Sequence, residues 1–241
     1  MRGILLLTQT EIMRLRRNRR YVIFTVALPV VLYLLWSKLG KTAYDIPFAA
    51  YYMVAMATFG AFAGALNGNS IRISEERKAG WIRQLRLTPL PASGYVIAKI
   101  LTAMVTTLLS IVIVMLIGRF YGDVHLDAWQ WLVVGVIIWL GSTIFAALAV
   151  AIGYRYPPDQ AQGITILVYF VFSIFGGIWF PLTGSLGNVA KFTPTYDAVK
   201  ISTDVIGNLS VPGYLIVGLF VWLVIFAGLA TLSVRSMAET V

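Results

Sequence analysis

Glu75, Glu76, Arg77, Lys78, Arg83 and Arg86 crowd into one short segment, SEERKAGWIRQLRLTPLP, between two apolar stretches. Acids followed by bases, with Gly80 and Trp81 among them, suit charge pairing with another surface. They do not suit catalysis. No Ser/His pair or paired carboxylates stand at membrane depth elsewhere. The chain has no cysteine and a single histidine, His125. That removes disulfides and thiolate chemistry, and it leaves no histidine-rich metal site within this chain. No G-x-x-x-x-G-K-[ST] loop is present, so any ATP is bound by another protein. No catalytic residue, metal or cofactor is expected of the chain itself.

The charged segment reads as a helix. Ser74 can cap its N-terminus. Glu75 and Glu76 fall in the first turn, and Arg83 and Arg86 in the last, which suits the helix dipole. Trp81, Ile82 and Leu85 share a face at i, i+3, i+4 spacing. Gly80 suits a close contact, and Pro89 and Pro91 stop the helix. Two readings stay open: an amphipathic helix lying on an anionic leaflet, anchored by Trp81, or a helix that docks into a partner protein.

The elements that hold this segment are membrane spans. Of the 241 residues, 59% are hydrophobic and only 12% charged, and the mean hydropathy is +0.82. Soluble domains carry about 25% charged residues. Six stretches have the roughly 20 apolar residues that a crossing helix needs. They run over about 21–39, 47–68, 95–118, 129–153, 161–180 and 213–234. The fold class is therefore an all-α membrane protein, a single domain over 1–241. Lys38 and Lys99, near span ends, are expected to snorkel to the interface. The Gly176–Gly177 pair is expected to loosen span five near its outer end.

With the N-terminus placed in the cytoplasm, only Lys38, Lys41, Arg119, Lys191 and Lys200 of the 19 basic residues fall outside. The acids divide evenly, so the whole net charge of +9 is cytoplasmic. This is the positive-inside pattern, and it makes a nucleic-acid partner unnecessary. An uncleaved first span fits residues 1–40 better than a signal peptide, because no small-residue cleavage pattern follows. Ile4, Leu5, Thr8, Ile12 and Leu15 make a stripe on the N-terminal arm, where Glu11 can pair with Arg14.

The spans carry no acid, histidine or arginine at mid-bilayer depth, which argues against an ion-coupled carrier. Gly60, Gly64 and Gly68 recur every fourth residue on span two. They read as close packing within one subunit, with a homodimer seam as the alternative. Tyr52, Met56 and Phe59 on span two, and Tyr169, Phe172 and Phe175 on span five, supply adaptable apolar surface. Taken singly, each reads as core or lipid-facing.

The arrangement resembles the membrane subunit of bacterial ABC-2 type transporters. Three features carry the resemblance across essentially the whole chain. They are the basic amphipathic arm before span one, EERKAGWIRQLRLTPLP between spans two and three, and FPLTGSLGNVAKFTPTYDAV after span five. In the last, Gly184-Ser185-Leu186 stands where the family often has a second proline. The resemblance implies that residues 74–87 are a coupling helix seated in a separate ATP-binding subunit. Glu75, Glu76, Arg77, Arg83 and Arg86 would be its charged contacts, with Gly80 at a close approach and Trp81 as its apolar wedge. Arg155 and Asp159 in the next cytoplasmic turn would add a smaller contact, and residues 1–20 would be a connecting helix along the inner leaflet. It further implies re-entrant short helices after span five and a cavity lined by Tyr52, Met56, Phe59, Tyr169, Phe172 and Phe175. The expected assembly is a homodimer, or a pair with a sister permease, in a bacterial plasma membrane. The expected activity is ATP-driven export of a lipophilic or amphipathic compound such as a drug, natural product or lipid. The competing function is a membrane scaffold or sensor that recruits a cytoplasmic protein through residues 74–94.

Overall fold

The computed structural model describes residues 2–17, 19–87, 92–182 and 184–239. The chain opens with α1 (Arg2–Arg17) and α2 (Arg19–Trp36). A hairpin of β1 (Thr42–Ala43) and β2 (Ile46–Pro47) leads into α3 (Phe48–Lys78). Then follow α4 (Trp81–Arg86), α5 (Ala92–Phe120), α6 (Ala128–Arg155) and α7 (Pro158–Phe175). Two short helices, α8 (Gly184–Ala190) and α9 (Pro194–Ile206), precede α10 (Gly213–Glu239).

Helix α3 forms the axis of the bundle, with α2, α5, α6, α7 and α9 packed around it. Every residue from Ala50 to Phe62 is buried. A helix apolar on all sides has no wet face to present, so it takes the centre. Small residues bring the neighbours close. A Cβ on Gly60 would stand 2.8 Å from Pro29 Cγ of α2 and 2.3 Å from Ser110 Oγ of α5. A Cβ on Gly153 of α6 would stand 2.7 Å from both Ile73 Cβ and the Ser70 carbonyl of α3.

Buried tyrosines find partners, as polar groups away from water must. The Tyr169 hydroxyl donates to the Phe59 carbonyl at 3.3 Å, and Tyr51 donates to the Gly177 carbonyl. Gln130 caps the first turn of α6 by accepting from the Asp127 N–H. Its amide also donates to the Val205 and Ile206 carbonyls, which fixes the end of α9 on α6. Thr193 caps α9, with Pro194 at its first position.

Several expectations are corrected. Span two does not stop at Gly68: α3 continues through Lys78 because no breaker intervenes before Gly80. Ser74 is therefore inside α3, and it caps nothing. The β1–β2 hairpin is an element that the sequence reading did not include. Tyr44 and Asp45 sit at φ 50° and 63°, the left-handed geometry that two-residue turns need. Gly176 and Gly177 end α7 rather than loosen it: Gly177 lies at φ +70°, and a Cβ on Gly176 would strike Thr195 of α9. Lys99 does not snorkel, as described below.

Among the described residues, four helices are long and apolar enough to cross a membrane: α3, α5 from Gly94, α6, and α10 as far as Arg235. The two other expected spans fall on α2 and α7, each 18 residues long. The first turns of α7 hold Asp159, Gln160 and Gln162, which shortens its apolar part.

Candidate functional site

One end of the bundle gathers α1, the last turns of α3, α4, the start of α5, the α6–α7 turn and the end of α10. Its centre is a buried ionic cluster. Lys99 of α5 is wholly enclosed, and its ammonium lies 2.9 Å from Glu11 of α1 and 2.7 Å from Glu76 of α3. Arg72 of α3 shares the same Glu11 oxygen. The Tyr95 hydroxyl donates to Glu76 at 2.6 Å, and its ring lies under Lys99. The opposite charges and the Tyr95 hydrogen bond offset part of the desolvation cost of burying this cluster. The expected pair of Glu11 with Arg14 is present but longer, at 3.6 Å, and reaches the other Glu11 oxygen.

A second set of bonds ties the α6–α7 turn to α3. Ser74 donates to the Tyr156 carbonyl at 2.6 Å. Arg77 spreads its guanidinium over the Tyr154 and Tyr156 carbonyls. These carbonyls lie at the C-terminal end of α6, where unpaired acceptors and the helix dipole favour a cation.

Helix α4 hangs from this platform by a single joint. Gly80 adopts φ +75° with open space where a Cβ would be. Its role is backbone conformation, not the close contact expected from the sequence. Beyond it, Trp81 packs under the Arg14 guanidinium of α1 at 5.4 Å. Ile82 packs into a small core with Leu7, Ile73, Tyr95, Val96 and Tyr154. The apolar face of α4 thus points back into the bundle.

The expected contact residues separate into two groups. Glu76, Arg77 and Trp81 are engaged within the chain. Glu75, Arg155 and Asp159 are exposed on its surface. The side chains of Arg83 and Arg86, and residues Pro89 and Pro91, lie outside the described residues. Leu87, which the sequence reading passed over, is 89% exposed beside them. Lys99 and Tyr95 were also missed as site residues. The usable signal was an ammonium one turn inside an apolar helix, which calls for a buried acid when it cannot reach water.

Of the six residues expected to line a cavity, five take part in packing within the chain. Tyr52, Met56 and Phe59 are buried, and Phe59 packs tilted on Tyr169 and edge-on to Trp179, with ring centroids 4.9 and 5.4 Å away. Phe172 packs on Phe145, Trp222 and Phe226. Only Phe175 offers substantial open surface. Gly60, Gly64 and Gly68 all lie on the buried axis helix, where Gly60 faces α2 and α5 of the same chain.

Comparison with known proteins agrees with this membrane architecture. Over 193 residues the chain is 28% identical to the "Putative transport permease YvfS" of Bacillus subtilis (strain 168), covering 77% of this chain and 78% of that one. A model of the ABC-2 type transporter family matches residues 2–190, from α1 through α8. A match over most of the length, on a chain whose long apolar helices surround a charged terminal platform, is decisive: this protein belongs to the ABC-2 type transporter family.

Proposed function

We propose that the chain is the membrane permease subunit of an ATP-driven exporter for a hydrophobic or amphipathic compound. It crosses a bacterial plasma membrane six times, with α2 and α7 joining the four longer spans and both termini in the cytoplasm. The observation that carries the reading is the platform itself. Hydrogen bonds and ion pairs join α1, α3, α5 and the α6–α7 turn, while Glu75, Leu87, Arg155 and Asp159 stay free on its surface. A separate ATP-binding subunit would seat on that surface. Closure of two such subunits would push the platforms of two permeases and switch access between the membrane sides. Exposed apolar rows on α2 (Leu28, Val31, Leu35) and α7 (Leu167, Phe170, Ile174) support pairing of two permease chains. The absence of charge at mid-span depth favours lipophilic cargo over ions.

The test is co-purification from native membranes in mild detergent. Wild type should retain an ATP-binding protein whose hydrolysis responds to lipophilic compounds. A combined Glu75→Ala, Leu87→Ala and Asp159→Ala variant should lose it while still inserting normally. Retention of the ATPase by that variant would overturn the contact surface. Failure of wild type to hold any ATP-binding protein would favour a scaffold role.

A further inference from the structure

A groove between α5, α6 and α10 opens at the same end of the bundle and encloses about 410 Å³. Small-molecule sites span ~300–1,000 Å³, so the space suits a substantial apolar group. Ile97 and Ile100 of α5 form one wall. Ala147 of α6 and Ala227 and Ala230 of α10 form the others, and their small size creates the hollow. Among the described residues, the one charge at its rim is Arg235.

Three observations point to one class of occupant. First, the groove faces outward from the bundle: Ile97 is 44% exposed, so the mouth opens toward lipid rather than into the interior. Second, the guanidinium of Arg235 is exposed and has no ion pair among the described residues. Glu11 and Glu76, the acids of the buried cluster at this end, are already taken by Lys99 and Arg72, and the side chain of Glu239, four residues on, lies outside the described residues. Third, apart from Arg235 and Thr231 the lining residues are all apolar, which suits a hydrocarbon chain.

An apolar hollow with an exposed arginine at its mouth matches a chain carrying a phosphate at its head. Arginine binds phosphate through two parallel N–H donors, and its charge favours a head group that carries no cation of its own to compete for the phosphate. We propose that this groove binds one anionic phospholipid from the leaflet at the platform end. An acyl chain lies along Ile97, Ile100 and Ala227, and the phosphate rests on Arg235. Helix α10 packs mainly along α6 and α9, so the lipid fills the side on which α10 has least protein support. The site is separate from the platform surface proposed for the ATP-binding subunit and does not depend on that reading.

The full chain, purified in detergent and stripped of lipid, is titrated with phosphatidylglycerol or phosphatidylcholine of identical acyl chains and read by native mass spectrometry. One phosphatidylglycerol per chain should survive activation that removes phosphatidylcholine. Arg235→Gln should weaken its retention about tenfold, as loss of a charged hydrogen bond predicts. Ala227→Phe fills the hollow and keeps the charge, and it should lower retention similarly. Arg155→Gln, at the same end but off the groove, should change nothing. Glycerol phosphate, a head group without acyl chains, should not compete. Equal retention of both lipids, or equal loss in the Arg235 and Arg155 variants, would mean diffuse charge attraction and overturn the site. So would normal retention in Ala227→Phe, or displacement by glycerol phosphate. If Ala227→Phe does not fold, Thr231→Phe on the exposed part of the same wall carries the same test.

Discussion

Lys99 shows how a single residue can organise three helices. Its ammonium is fully enclosed, and only Glu11 and Glu76 make that burial tolerable. Removing one partner of such a group leaves a buried charge uncompensated, at a cost of about 3–5 kcal/mol. Lys99→Met should therefore destabilise the detergent-solubilised protein by about 3 kcal/mol in chemical unfolding. Combining it with Glu76→Gln should cost less than the sum of the two single changes, with a coupling of about 1–3 kcal/mol. Strict additivity would mean that the cluster does not act as a unit. Asp197 on α9 is a different case. It is buried, Oδ1 has no hydrogen bond among the described residues, and Oδ2 faces Gly218 of α10. Burial pushes its carboxyl up from 3.8 to about 7. Between those values the folded protein holds a proton that the unfolded chain has released, so stability falls as pH rises across that window and then levels. Thermal unfolding between pH 4.5 and 8 should show this decline. Asp197→Asn should flatten it and be no less stable than wild type at pH 8. The charges nearest on its own helix, Lys200 and Asp204, pair with each other.

At the scale of elements, glycine placement separates close packing from free space. Gly153 lies so near α3 that any side chain must push the helices apart. Gly153→Val should cost about 1–3 kcal/mol by overpacking and lower the thermal midpoint. Gly163 on α7 has nothing within 4 Å of a Cβ position. Gly163→Ala should leave stability unchanged or raise it by about 0.5–1 kcal/mol, since alanine is the better helix former. The helices themselves were legible, because long apolar runs bounded by Pro157, Pro158, Gly207 and Pro212 leave few alternatives. Their ends were less so. The polar residues Ser74 to Lys78 look like the start of a new helix when read alone. They continue α3 because Arg77 and Ser74 find carbonyls on α6 and Glu76 finds Lys99, partners that are far away in sequence. For the same reason the candidate site was only half legible. The segment was identified, but which of its charges face outward depends on α1, α5 and the α6–α7 turn. Periodicity could not reveal that Trp81 leans on Arg14 or that Leu87 stands bare.

At the scale of the molecule, charge and apolar surface are sorted to different places. Under the proposed topology the net +9 collects at the platform end, which is the positive-inside pattern. The exposed apolar side chains run along α2, α5, α7 and α10. The axis helix joins this end to the other without a break. At about 1.5 Å per residue, its 31 residues make a stiff rod about 46 Å long. Its lower end is clamped by Arg72, Ser74, Glu76 and Arg77, and its upper end holds α7 through Tyr51 and the Gly177 carbonyl. A tilt of about 5° imposed at the clamp would sweep the far end through about 4 Å, from simple helix dimensions. Gly60, Gly64 and Gly68 lie between, but α3 runs unbroken through all three and all three are buried; the joint at Gly80 falls below the clamp. Work done on the platform would therefore arrive almost undiminished where α7 ends, at the opposite end of the bundle.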